Sequence, residues 1–388
     1  MIFSFYSLGF IFLFVYSIPN YIDLIDLSSS TFFPFREYKY RDENYYYNHR
    51  LRIYAYSAPY TLCDNNNEEH YCRYYKLIGT SNYKGINFTD HVMIYIDSIN
   101  MIYSGNLPPI IIEKDGDITL NISGTSTLAD SSSNELNATI YLSEGAKLNI
   151  IGNGTLNIFA NKKMAIKGDN SSHLLIKGVN INIFSEENNE SMIYVDGNFA
   201  FKDGVLNYKS MYGEKYDINC KNNGGASKEL FNLESNFGNI IQVKDSIYIQ
   251  SGILNLKAGK GIALKAGKNI YLGEMNENNT KLNIKIESLG EGIESNTLII
   301  FSGTISILTE GVGIKILQDS LSSNFKIYNG DINVNSNENA IQSYGNIYVM
   351  GGKLVLFGAS EGNYEPIIDE GVMFILKGAI LIGGSNLN

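Results

Sequence analysis

The chain has 388 residues and a formal net charge of −10, with 37 Gly, 28 Tyr, 19 Phe, 6 Pro and no Trp. That balance favours strands joined by tight turns over helices. All five arginines (Arg36, Arg41, Arg50, Arg52 and Arg73) precede residue 74; together with the net acidity this argues against nucleic acid as a partner, and an acidic polysaccharide would be repelled unless a divalent cation bridged the like charges.

Residues 3–17 are almost wholly apolar, too short for a comfortable membrane span, and end in Val15-Tyr16-Ser17. They predict a secretory signal peptide over 1–17, with an uncleaved N-terminal anchor as the alternative. The next stretch, 18–50, includes REYKYRDENYYYN and sustains no period of 2 or 3.6, so it reads as a low-complexity linker. Asn-x-Ser/Thr sequons at Asn87, Asn121, Asn137, Asn153, Asn170, Asn189 and Asn278 are expected glycosylation sites if the protein is secreted or held at the cell surface. In that setting Cys63 and Cys72 are expected to close a small loop as a disulfide, leaving Cys220 over.

From residue 51 to 388 short apolar-alternating runs take over. One pattern recurs, h-x-h-x-x-G-x-h-x-h, where h is apolar. Ungapped copies run from Phe199 to Tyr208, Ile247 to Leu256, Leu298 to Ile307, Phe325 to Val334, Ile347 to Leu356 and Met373 to Ile382. Three copies are imperfect: Leu174 to Ile183 has Val179 at the glycine position, Leu148 to Ile158 has one extra residue, and Ile270 to Ile284 carries an insertion around MNENNT. Most copies begin 22 to 28 residues apart, and one 48-residue step is read as about two such units.

This period suits a β-solenoid coil and is too short for a propeller blade of about 40 residues. Period-2 alternation turns the h residues into the bore and the x residues outward, with glycine at the corner. The expected fold is an all-β, right-handed, single-stranded parallel β-helix of about ten to twelve coils. Each coil takes two strands from the repeat and a third from a preceding run such as Ala138 to Leu142.

The stretch from Tyr75 to Ile183 contains LIGTSNYKGINF, HVMIYIDSINM, NLPPIIIE, GTSTLAD, NATIYLSEGAKLNIIGNGTLNI and HLLIKGVNINI. It resembles the β-helix carbohydrate-binding domain of secreted proteins from cellulolytic anaerobes, and the similarity continues through the later repeats. The resemblance implies a fold akin to polysaccharide lyases, binding of cellulose or acidic sugars, and calcium. Family coils often read G-D-G-I. Here the corresponding corners are Gly259-Lys260-Gly261-Ile262, Gly290-Glu291-Gly292-Ile293, Gly311-Val312-Gly313-Ile314 and Glu338-Asn339-Ala340-Ile341, and only Glu291 keeps an acid.

No catalytic residue is assigned. The N-T-D, D-D, G-H-G and R-x-K motifs of pectin hydrolases are absent, and no arginine follows Arg73 to serve as a lyase base, although a lysine could. The four histidines (His49, His70, His91 and His173) are scattered, with no pair at metal-ligand spacing.

For sugar binding, Asn149, Leu175, Ala200, Tyr248, Tyr271, Ile299, Lys326, Tyr348 and Phe374 share one outward repeat position. The ring-bearing members Tyr248, Tyr271, Tyr348 and Phe374 are the leading candidates, because aromatic faces stack on pyranoses. A second outward position holds Asn157, Asn182, Asn207, Asn255, Asn283, Ser306, Asn333, Val355 and Leu381. Of these, Asn255, Asn283 and Asn333 could meet sugar hydroxyls, while mutual hydrogen bonding along the stack is the structural alternative.

Asp115, Asp117, Asp196 (with Asp203 nearby) and Glu291 are the candidate calcium ligands. The residues from Met211 to Gly238 interrupt the repeat as a loop or degenerate coil. The expected function is that of a secreted, non-catalytic binder of plant cell-wall polysaccharide. A calcium-dependent polysaccharide lyase and a structural surface or adhesion protein are the alternatives.

Overall fold

The computed structural model describes residues 23–26, 50–53, 61–62, 71–81, 85–89, 91–132, 135–185, 191–210, 238–275, 282–317, 323–358, 366–376 and 378–385. The expected signal peptide, Cys63, Cys220, Asn189, Asn278, His49, His70 and residues 211–237 lie outside them. Every regular element among the described residues is a strand.

Three short strands make a coil. The coil from Lys147 shows the plan: Lys147–Gly152 on a first face, Thr155–Asn161 on a second and Met164–Gly168 on a third. Each pairs in parallel with the equivalent strand one coil on, as in Leu148↔Leu174, Leu156↔Ile181 and Ile166↔Ile193. The first two faces form a 24-stranded sheet and the third a 12-stranded sheet. The result is the expected parallel β-solenoid. Thr61–Leu62, antiparallel to Tyr71–Cys72, is the exception to parallel pairing among the described strands.

The alternation read from the repeat sets the packing. Phe199, Ile247, Ile270, Leu298, Phe325 and Ile347 stack along the bore, each fully buried. A strand of four to six residues cannot enclose such side chains alone; each coil is the lid of the next. The repeat glycines at 204, 252, 303, 330, 352 and 378 all have φ between 76° and 119°. Gly330 shows why: a Cβ there would lie 2.7 Å from the Gly303 carbonyl oxygen of the coil beneath. In the copy with Val179, Gly178 takes the left-handed position instead, φ 77°.

Four readings of the sequence are corrected. The 48-residue step is one coil, not two, because Phe199 pairs directly with Ile247 and Ile193 with Ile241. The pairing closes over residues 211–237 as an insertion. Asn283 does not continue the asparagine column: Asn255 pairs with Lys285, and Asn283 with Ile253 and Thr304. At the last repeat, Val355 pairs with Ile382, so Leu381 turns inward and Ile382 outward. The corner read as Gly259 to Ile262 is two residues out, since Leu264, not Ile262, pairs with Ile293.

Within the expected linker, Asp23–Asp26 forms a strand paired in parallel with Tyr75 to Ile78. At the other end the bore opens. Ile375 is 48% exposed, whereas Val349 and Ile327 below it in the same column are fully buried.

Candidate functional site

The outward column of the first face is continuous in the order expected: Met93, Thr119, Asn149, Leu175, Ala200, Tyr248, Tyr271, Ile299, Lys326, Tyr348 and Phe374 are consecutive pairing partners. Its rings form two stacks. Tyr248 and Tyr271 have centroids 5.0 Å apart with planes inclined by 9°, and Tyr348 and Phe374 are 5.1 Å apart at 6°. Lys326 places Nζ 5.3 Å from the Tyr348 centroid, on the side away from Phe374.

This geometry changes what the column can do. Nearly parallel rings one strand spacing apart lie face to face along the solenoid axis. They show their edges outward, and their inner faces are already used. The faces left open are those at the ends of the stacks. Accordingly Tyr248 and Phe374 are exposed, while Tyr271 and Tyr348 are half-buried.

Two residues along the strand, a second outward column continues the apolar surface, and the sequence reading missed it. Phe301 and Tyr328 stack with centroids 5.5 Å apart, followed by Met350 and Leu376. The signal was present in the fourth position of the last four ungapped repeat copies. At Gly273 this column has no side chain; φ is 82°, and a Cβ would meet the Ser302 carbonyl oxygen at 2.4 Å. The gap floors a hollow lined by Tyr248, Gln250, Tyr271, Glu274, Met275 and Phe301. Lys202 reaches Glu274 at its edge, 3.3 Å away.

The second-face asparagines serve mainly each other. Asn182 donates through Nδ2 to Asn157 Oδ1, Asn207 to Asn182 and Asn255 to Asn207, each at 2.8 Å. Asn333 lies further along that column between Ser306 and Val355, and Asn283 lies in another. The three candidate asparagines are therefore not gathered into one site.

The expected calcium ligands are also separate, and each already has a different environment. Asp115 is an exposed turn residue with φ 58°, and Asp117 accepts from Asn149 Nδ2 at 3.1 Å. Asp196 pairs with Lys244 at 3.0 Å, and Asp203 accepts from Ser251 at 2.7 Å. Glu291 pairs with Lys315 at 2.7 Å, and Lys315 also approaches Glu294, which Lys265 meets at 2.8 Å. Burial raises the Glu291 carboxyl above the ordinary range against the pull of Lys315. Burial also acts on Glu294, but the hydrogen bond from Lys265 helps to hold that carboxyl below it.

Among the described residues no three His, Cys, Asp or Glu converge as metal ligands. Calcium takes six to eight oxygens, which these separated residues do not supply, and beside Asp196 and Glu291 a lysine ammonium already sits. His173 is structural in its contact, its Nδ1 accepting from the Asn198 amide at 3.0 Å.

The third face carries another ladder absent from the sequence reading. Tyr141, Lys167, Tyr194 and Gln242 are consecutive partners there. The Tyr141 hydroxyl donates to Asp169, and burial followed by that carboxylate pushes the phenol well above its ordinary range. Of the described sequons, Asn153 and Asn170 lie exposed at turns, Asn121 and Asn137 are half-buried, and Asn87 donates to Glu113 at 3.0 Å.

Residues 73–240 match the model of a family described as carbohydrate-binding domain-containing protein. No match was found among curated proteins or among solved structures. Among the described residues no helix is long and apolar enough to cross a membrane.

Proposed function

With residues 73–240 matching a carbohydrate-binding family, we propose that this protein is a secreted, non-catalytic binder of cell-wall polysaccharide, cellulose or pectate-like, that holds its glycan on the first face of the solenoid. The observation that carries the reading is the hollow at Gly273, where ring edges of Tyr248 and Tyr271, the amide of Gln250 and the carboxylate of Glu274 surround one recess. Sugar recognition needs that mixture: an apolar surface for the C–H faces and a few polar groups for hydroxyls. A neutral glycan would need no metal here, whereas pectate would need a divalent cation to bridge the like charges. On export, Asn153 and Asn170 are the sequons best placed to carry glycans.

The test is retention of the full chain on cellulose and on pectate, with and without chelator. Tyr248→Ala combined with Tyr271→Ala is expected to weaken retention about tenfold. Retention unchanged in the double variant overturns the site. Release of unsaturated uronides would favour the lyase alternative.

A second reading rests on the position of the family match. Between Met93 and Ala200 the first-face column has no aromatic residue, whereas Tyr141 and Tyr194 line the third face of the same segment. Loss of retention in Tyr194→Ala alone would place the glycan there instead.

A further inference from the structure

We propose that Ala200 opens a slot one sugar ring thick between Leu175 and Tyr248, and that this slot takes a single terminal or branch pyranose. The proposal rests on the glycan-binding reading above and narrows it to a class of ligand. Its basis is the stacking of the first-face column.

Leu175, Ala200 and Tyr248 are consecutive partners in that column. Parallel strands lie about 4.8 Å apart, so Leu175 and Tyr248 are separated by about 9.6 Å along the axis. At the level between them the side chain ends at Cβ. A ring placed there sits about 4.8 Å from each neighbour, within the 4.5–7 Å range of stacked ring centroids. The neighbouring level already shows the same packing in protein form: Tyr271 lies 5.0 Å from Tyr248 on its other side.

Tyr248 is the right wall for a sugar. One of its faces is covered by Tyr271; the other looks toward Ala200, and the side chain is 40% exposed. The nearby polar groups are Gln250, two residues beyond Tyr248, and Lys202, two residues beyond Ala200, whose ammonium reaches across to Glu274 on the Tyr271 side of Tyr248. An amide, an ammonium and a carboxylate together supply donors and acceptors for ring hydroxyls.

The slot holds one ring and is closed along the column by Leu175 on one side and Tyr271 beyond Tyr248 on the other. A polymer cannot run through stacked side chains. It can insert its end, or a side branch, edge-on. The stacked column therefore selects ends and branches over the uninterrupted run of a chain.

The experiment uses the full chain on whichever polysaccharide matrix retains it. Ala200→Leu fills the slot from an outward position and is expected to reduce retention about tenfold with the thermal midpoint unchanged, whereas Ile299→Ala, at the outward position next beyond Tyr271, changes retention no more than about twofold. Di- and hexasaccharides cut from the same polymer are expected to displace the protein equally, mole for mole. Undiminished retention of Ala200→Leu overturns the slot and leaves glycan binding standing, as does a hexasaccharide that competes far better than the disaccharide. A wild-type protein retained on neither cellulose nor pectate overturns the binding reading itself.

Discussion

The second face finishes its outward column differently in its two halves. From Asn157 to Asn255 the column is a chain of amides, each hydrogen-bonded to the next at 2.8 Å. Beyond Asn255 the same column holds Lys285, Ser306 and Asn333, and its neighbour carries Lys257 and Glu287. Both halves keep the strands in register over the same apolar bore. Neutral amides do so without dependence on pH or salt, while ion pairs depend on both. The first face changes in parallel, from Thr119, Asn149, Leu175 and Ala200 to stacked rings. The scaffold is thus indifferent to what its outward positions carry, which leaves them free to differ in function.

The sharpest way to break that claim is through the bore. If the two halves are one cooperative structure, Phe201→Ala and Phe325→Ala, both fully buried sites, should each cost about 3–5 kcal/mol. Each should also lower a single unfolding transition, followed by denaturant titration. Two transitions, each sensitive to one substitution, would mean that the halves unfold separately and that the outward columns mark a real division.

Much of this was legible in the residues. Glycine in the sixth position of the repeat announced a left-handed corner, and six of six such glycines have positive φ. The first-face column was readable because the repeat copies align without gaps over it. Asn283 was misplaced because period-2 alternation looks the same after a shift of two residues; only the pairing of Leu254 with Ile284 decides. The 48-residue step could not be divided by counting, since an insertion and an extra coil have the same length. Most consequential, a column of aromatic residues in the sequence says nothing of ring orientation. Whether faces or edges point outward depends on side-chain torsions, and here the faces meet each other.

A middle-sized effect separates support from recognition. Asn207 donates to Asn182 and accepts from Asn255. Asn207→Ala removes both hydrogen bonds and is expected to destabilise the fold by about 1–2 kcal/mol with glycan retention unchanged. Loss of retention at unchanged stability would move the amide column from scaffold to binding surface.

The smallest effect tests the charged half. Glu287 is met by Lys257 at 2.7 Å and by Lys285 at 2.6 Å. Hydrogen bonds from these two ammonium groups hold the Glu287 carboxyl below its ordinary range in the folded protein. A lowered folded-state pKa means that the unfolded chain binds the proton more readily. Glu287 therefore contributes stability that is present above the unfolded value of about 4.3 and is lost as pH falls through the folded value. The side chain remains partly open to water, so the contribution at pH 7 is expected to be no more than about 1 kcal/mol. Glu287→Gln should lower stability at pH 7 by that amount, more at low than at high salt, and the difference from wild type should vanish in acid, once the pH lies below the folded value. A difference that persists into acid would assign Glu287 a packing role, and the two halves of the second face would then be held by the same physics after all.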